Sequence, residues 1–243
     1  MHPVLPRNGS RILRCIMCAS PFTILQEDAM AMTFYYGSGS PFAWRVWLAL
    51  EHKKIPYEMK TISFSSGELE KPEYLAINPR HKVPAIVDAG FALYESTAIV
   101  EYLEEKFTSG ARLFPEDTKQ RALVRRVIQE TDLYLNTSMR LLIEQIFFKP
   151  EEKWDAAKIE QGAQALSVEL AMWEKADIGR FLVGLSVSAA DYAVYPVLAL
   201  AMRLEKKKRD LGIRQMIGPK LAVWMQNMTE QPIVRTTWPP HWK

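Results

Sequence analysis

The 243-residue chain is predicted to fold as an α/β domain on a four-stranded mixed sheet, followed by an all-α domain. Three observations predict this. Hydrophobic residues make up 48% of the chain, enough for sizeable cores and too many for a disordered one. Between Met32 and Phe107, short segments alternate in the order β-α-β-(α)-β-β-α. Beyond Thr118, every long segment has a helical period. A parallel βαβ unit followed by a hairpin makes a mixed sheet with helices on its faces.

Residues 1–31 stand apart. They carry Arg7, Arg11 and Arg14 and no acid before Glu27, and Met30 and Met32 lie just ahead of the first strand. They are read as an extension: an upstream-extended start or a flexible arm. A targeting segment is the third reading, since arginine without acid suits a transit peptide. Arg14 interrupts the apolar run from Ile12 to Ala19, which makes a poor secretory core.

Thr33 to Tyr36 is an aromatic strand. Phe42 to Lys53 is a helix with Val46, Ala49 and Leu50 on one face. Ile55 to Ile62 alternates Ile55, Tyr57, Met59 and Thr61, the pattern of a half-buried strand. A polar stretch, Ser63 to Pro79, holds a short helix around Pro72 to Ala76. Ala85-Ile86-Val87 and Phe91-Ala92-Leu93-Tyr94 flank Asp88-Ala89-Gly90, which reads as a tight hairpin turn. A helix follows Ser96, with Ile99, Leu103 and Phe107 on one face. Turn-rich residues from Thr108 to Thr118 end the first domain, 32–110, and place a linker at 111–118. The second domain, 119–243, has four long helices. They run over Lys119 to Lys149, Glu151 to Ala176 (Ala165, Leu166, Leu170 and Trp173 on one face), Ser188 to about Leu204, and Pro219 to Met228.

The balance of 31 basic and 28 acidic residues, net +3, lacks the clustered basic face that nucleic acid calls for. The run Lys206-Lys207-Lys208-Arg209 reads as a solvated helix C-terminus, where cations favour the dipole. No apolar stretch approaches the roughly 20 residues of a membrane span, so a soluble, cytoplasmic protein is expected. The two cysteines, Cys15 and Cys18, are too few for a disulfide scaffold. Their C-x-x-C spacing is that of a redox pair, but they precede the first strand instead of following it.

Four local constellations stand out. Ser38-Gly39-Ser40-Pro41 joins the first strand to the first helix. A helix N-terminus carries unpaired N–H groups and partial positive charge, so it favours an anion. Ser40 caps that end and Pro41 suits the first helical position. Taken alone such a turn is more often a plain helix cap than a holder of a thiolate, and Ser38 is the neighbouring rival. In Asn78-Pro79-Arg80-His81-Lys82-Val83-Pro84, the proline enters a strand from a loop. A cis Val83–Pro84 bond would offer the Val83 backbone to an extended peptide, and a trans bond would make an ordinary strand entry. Glu95 and Ser96 lie between a strand and a helix. There the serine and helix N–H groups suit a carboxylate and the glutamate an ammonium, or together they merely cap. Ser188-Ala189-Ala190-Asp191 is a capping box with aspartate for the usual Glu or Gln, and it is read as structural.

In order and spacing, these motifs resemble the cytosolic glutathione S-transferase superfamily over residues 32–235. Ser40-Pro41-Phe42-x-x-Arg45-Val46-x-x-Ala49-Leu50 is similar to the active-site turn of serine-type (tau, phi, zeta and bacterial-type) members. Asn78 to Pro84 resembles the loop before the family's cis-proline, Glu95-Ser96 the γ-glutamyl clamp, and Ser188-x-x-Asp191 the helical-domain capping box. The resemblance implies a thioredoxin-like first domain, a helical second domain, a homodimer and glutathione as co-substrate, with no metal. It implies that Ser40 donates to the glutathione sulfur and that Val83, before Pro84, pairs its backbone with the cysteinyl part. Glu95 and Ser96 would hold the γ-glutamyl end. Lys82 would face the carboxylates, and Lys71 is the basic residue left where phi-like chains carry a His-Lys pair, Leu69 and Glu70 standing there instead. Phe42 would lie beside glutathione and, with Tyr134, wall a pocket for a small hydrophobic electrophile.

The implied function is conjugation of the glutathione thiolate to an electrophile, or reduction of a hydroperoxide, as in detoxification. The alternatives are a non-catalytic binding module on the same fold and a zeta-like glutathione-dependent isomerase. Zeta chains carry Ser-Ser-Cys where this one has Ser40-Pro41-Phe42. The apolar tail from Thr236 to Trp242 is expected to fold back over a groove.

Overall fold

In the computed structural model, which describes residues 32–242, strand β1 (Met32–Tyr36) turns Met32, Phe34 and Tyr36 into the core. The expected extension, with Cys15 and Cys18, lies outside the described residues. Strand β1 pairs in parallel with β2 (Tyr57–Thr61), Met32 opposite Tyr57, and antiparallel with β3 (Ala85–Asp88), Phe34 opposite Ile86. Strand β4 (Phe91–Tyr94) returns along β3. Between them, Ala89 and Gly90 both have positive φ (49° and 85°), the geometry of a two-residue turn that matches strand twist. The sheet order is β2-β1-β3-β4. Strand β2 is shorter than the expected Ile55–Ile62, because Pro56 precedes it without a ladder N–H.

Helix α1 (Pro41–Lys53) buries far more than the expected Val46, Ala49 and Leu50 face. Ala43, Trp44, Arg45 and Leu48 are buried as well, so α1 is enclosed nearly all round. It is wedged between α3 (Ser96–Lys106) and the apolar α8 (Ala189–Lys207) of the second half. Helix α2 (Pro72–Leu75) is a single turn. Sheet, α1, α2 and α3 form the thioredoxin-like unit.

His52, on α1, ties the two halves together. Its Nε2–H faces the Arg112 carbonyl (3.3 Å), so in the neutral ring Nδ1 accepts from the Tyr192 hydroxyl (2.9 Å). Burial pushes this imidazole below its ordinary pKa. A depressed folded pKa contributes stability above the ordinary value of about 6.5, which is lost as pH falls through the folded value. His52→Gln is therefore expected to narrow the drop in Tm between pH 7.5 and pH 5 in a scanning-calorimetry comparison. An equal drop in both proteins would remove His52 from this role.

The second half is all helix: α4 (Thr118–Glu130), α5 (Asn136–Ser138), α6 (Arg140–Phe148), α7 (Ala156–Glu174), α8, α9 (Ile213–Met216), α10 (Pro219–Glu230) and α11 (Pro232–Thr236). The single helix expected over Lys119 to Lys149 is interrupted. A π-helical turn, Thr131–Leu135, follows α4, and the chain bends again at Met139. At its start the Thr131 hydroxyl donates to the Val127 carbonyl (2.7 Å), the back-bonding that bends helices. Helix α7 begins at Ala156, not Glu151, because Asp155 caps it by accepting from the Lys158 N–H (3.2 Å). Ala165 is exposed, and the buried face of α7 is Ile159, Gly162, Leu166, Leu170 and Trp173. The linker is not loose: Leu113 and Phe114 are buried, and the Leu113 carbonyl accepts from the Ala189 N–H (2.8 Å).

The Ser188–Asp191 box forms as expected. Asp191 Oδ2 accepts from the Ser188 N–H (2.8 Å) and hydroxyl (3.1 Å). Its Oδ1 accepts from the Leu182 N–H and the Trp224 indole (both 2.9 Å). The box is thus the centre of a buried network as well as a local cap.

Candidate functional site

The turn between β1 and α1 is shaped by close approach on both sides. At Gly37, a Cβ would lie 2.6 Å from atoms of Phe64 and of Val83. At Gly39, where φ is +90°, a Cβ would lie 2.8 Å from the His241 ring and 3.2 Å from the Trp242 indole. The backbone at Gly39 therefore calls for glycine, and a side chain at position 37 would have to displace Phe64 and Val83. Ser40 follows with extended backbone and caps α1, its Oγ accepting from the Ala43 N–H (3.2 Å). No other partner holds the Ser40 hydroxyl among the described residues, so its proton is free to be donated. Behind the turn the Tyr36 hydroxyl is buried and has no hydrogen-bond partner among the described residues. Ser38 and the Gly39 N–H are near it but outside full hydrogen-bond geometry, and burial raises the phenol pKa.

The second wall is the loop leading to β3. Lys82 is held by its carbonyl, which accepts from the Tyr74 hydroxyl (2.5 Å) and the Asn78 amide (2.7 Å). Asn78 also accepts from the Arg80 N–H (3.0 Å). His81 has a φ of 56°, the region that favours glycine, and its ring meets Glu70 at 2.5 Å. The Val83–Pro84 bond is cis, the isomer that the family resemblance implies and one of the two that the residues alone left open. Val83 precedes β3 and lies outside the sheet register, so the ladder does not consume its N–H and C=O. The side chains of Lys71 and Lys82 are exposed cations flanking this loop.

The third element is the start of α3. Glu95 is exposed and its backbone is strained, with φ 71° and ψ 110°. This strain sets Glu95 at the surface while Ser96 turns inward and is buried. Ser96 Oγ accepts from Arg45 Nη1 (3.1 Å), leaving the serine proton to donate. Arg45 also donates to Thr97 Oγ1 (3.0 Å) and grips Asp132 through both terminal nitrogens (3.1 and 2.6 Å). Asp132 lies in the π-helical turn, which aims it across the domain boundary.

Residues 39–106 match the profile of the family described as "Glutathione S-transferase, N-terminal domain", and residues 132–232 that of "Glutathione S-transferase, C-terminal domain". A relative from Pleuronectes platessa, "Glutathione S-transferase A", is 32% identical over 219 residues, covering 88% of this chain and 94% of its own. The chain belongs to the glutathione S-transferase family. A second relative of this transferase, "Probable maleylacetoacetate isomerase 2" from Drosophila melanogaster, is 36% identical over 193 residues, 77% of this chain and 81% of its own. Among solved structures, a glutathione S-transferase from the Antarctic clam Laternula elliptica superposes with a TM-score of 0.71. It is 33% identical, with 87% of this chain and 94% of that one covered.

The transferase does not bring all the expected site residues together. Ser40, Phe42, Val83, Glu95 and Ser96 sit on the ends of β1, β3 and β4 and on the helix starts that follow. Phe42 lies under the Arg45 guanidinium, 5.4 Å from ring centre. Tyr134 departs from this set. It lines a separate groove between α4 and α7, with Leu123, Glu130 and Met172, because the π-helical turn points Asp132 and Tyr134 different ways. Sequence reasoning gave no individual part to Arg45, Asp132, Phe64 or His241, which the fold places around these elements. Arg45 alone carried a local signal: a charged residue on a helix face otherwise apolar.

Among the described residues, no group of three or more His, Cys, Asp or Glu side chains is placed to hold a metal. No described helix is long and apolar enough to cross a membrane.

Proposed function

We propose that the transferase binds glutathione across the Ser40 turn, the Val83 backbone and the Glu95–Ser96 corner, and activates its thiolate against a small hydrophobic electrophile or a hydroperoxide. The observation that carries this reading is Ser40. Its oxygen is occupied by the Ala43 N–H, so its proton is left for an anion at the same positive helix end. A thiol with pKa about 8.5 is only a few per cent ionised at neutral pH, and the thiolate is the nucleophile. Val83 would pair with the cysteinyl backbone, Ser96 would donate to the γ-glutamyl carboxylate, and Glu95 would take the ammonium. Lys71 and Lys82 supply positive charge for the glycine carboxylate, and Phe42 an apolar wall. Exposed Phe91, Leu133 and Phe148 support a homodimer, read here as cytoplasmic.

Ser40→Ala is expected to lower kcat/KM for an aryl halide about 10- to 100-fold, the worth of one hydrogen bond to a charged group. Loss of the cap should cost only about 1 kcal/mol of stability. Unchanged turnover and an unchanged pKa of the bound thiol would remove Ser40 from the mechanism. A glutathione-dependent isomerase is the second reading, supported by the Drosophila melanogaster relative's name. Turnover of maleylacetoacetate in the presence of glutathione, with no conjugation of aryl halides, would select it. Calorimetry that finds no glutathione binding would sink both readings and leave a binding module for some other ligand.

A further inference from the structure

The C-terminal tail returns to the active-site turn. Past α11, Thr237 accepts from the Trp44 indole (2.9 Å), and Trp238 and Trp242 pack edge-on against Trp44 at 5.2 and 5.6 Å. Arg203, on α8, lies 5.2 Å over the Trp242 ring and donates to the His241 carbonyl (3.3 Å). The tail is thereby locked from two sides. The result is that His241 Nδ1 sits 2.6 Å from the Ser38 hydroxyl, 203 positions away in the chain. Its ring rests on Gly39, one residue before Ser40.

We propose that His241 accepts the proton of the glutathione thiol through Ser38 and passes it to solvent. This rests on the placement of glutathione proposed above, with the thiol set between the Ser40 and Ser38 hydroxyls. In the tautomer with the proton on Nε2, Nδ1 accepts from the Ser38 hydroxyl, and the pair is oriented for transfer toward the ring. The ring remains exposed to solvent, which gives the proton an exit. The groups facing it are Ser38 and, behind Ser38, Tyr36 from β1, with Arg203 from α8 and Trp242 from the tail itself. Partial burial and the Arg203 charge hold the imidazole below its ordinary pKa, so it is neutral and able to accept at physiological pH. In the step, the S–H bond breaks and its proton goes to Ser38 Oγ while the Ser38 proton goes to Nδ1. The imidazolium then loses a proton to water. The electron pair stays on sulfur, and nothing is oxidised or reduced.

The test is stopped-flow mixing of the full chain with glutathione, following thiolate absorbance in the ultraviolet and proton release to an indicator. His241→Ala should slow thiolate formation about a hundredfold, the usual scale of a proton-transfer group. Added imidazole should restore the rate. His241→Gln, which keeps a side-chain acceptor for Ser38 but takes no proton, should be as slow as His241→Ala, with the Tm and tryptophan fluorescence of the wild type. A wild-type rate in His241→Ala, or recovery in His241→Gln, would overturn the relay and leave the tail a merely structural contact. Calorimetry separates the two levels. Wild-type protein that binds and ionises glutathione while His241→Ala does so equally fast defeats the relay alone, whereas no binding by wild type defeats the placement of glutathione as well.

Discussion

Asp132→Ala is expected to destabilise the transferase by about 3–5 kcal/mol, the scale for a buried ion pair that loses one partner. At roughly 2–4 °C per kcal/mol for a chain of this size, Tm should fall by about 6–20 °C. The cause is Arg45. Its side chain is 2% exposed, and Asp132, itself 28% exposed, is its countercharge, so the cost lies mainly in the buried guanidinium. Without Asp132 the guanidinium keeps only the neutral hydroxyls of Ser96 and Thr97, and its Nε–H has no partner among the described residues even in the wild type. The functional consequence runs through Ser96. A guanidinium that shifts to find water no longer orients that hydroxyl, so KM for glutathione should rise while kcat changes little. The double variant Arg45→Met/Asp132→Leu separates the two effects. Apolar replacement of a whole buried pair is often neutral, so stability should largely return. The raised KM should remain. Full recovery of both would show that the pair serves packing alone.

Asp191→Ala should be comparably damaging, again by about 3–5 kcal/mol, measured as the midpoint of urea unfolding. Four donors converge on this fully buried carboxylate, two on each oxygen. Burial pushes the carboxyl pKa up, and those four hydrogen bonds oppose the rise. Removing the acceptor leaves backbone N–H groups of Leu182 and Ser188 and the Trp224 indole buried without partners, at about 1–3 kcal/mol each before water enters. Asp191→Asn should not rescue. An amide turns one oxygen into an NH2, which then faces donors. An Asn variant as stable as wild type would mean that fewer of these bonds matter than the geometry implies. Activity per folded molecule should be unchanged in either variant, since Asp191 lies in the helical domain and supports the fold.

These two carboxylates differ in how far they could be read from sequence. Asp191 was legible as the fourth residue of Ser188-x-x-Asp191, because a capping box is a contact between residues three apart. What was not legible was its bond to Trp224, 33 positions on, which makes a local cap into a buried junction. Asp132 gave no signal at all. It sits mid-helix in a segment whose apolar period runs on unbroken, and the π-helical turn that redirects it contains neither proline nor glycine. Tyr134, read as facing the electrophile, lines the groove between α4 and α7. The positive φ of His81 was not legible either, because it lies in a backbone region that usually calls for glycine.

The sequence by itself determined the order of elements, the two-domain plan, the capped turn at Ser40, the proline after Val83 and the Glu95–Ser96 corner. Each rests on interactions among residues a few positions apart: caps, turn φ angles, and the period with which apolar side chains recur. Tertiary structure alone decided which distant groups meet around these motifs. Arg45 reaches Asp132 across 87 positions and Ser38 reaches His241 across 203. Such pairs leave no local pattern. They form because burying α1 between the sheet domain and α8 brings the ends of distant segments together, and the free energy that does so is spread over the whole interface. The serine turn could be found by reading along the chain, and its histidine only by folding it.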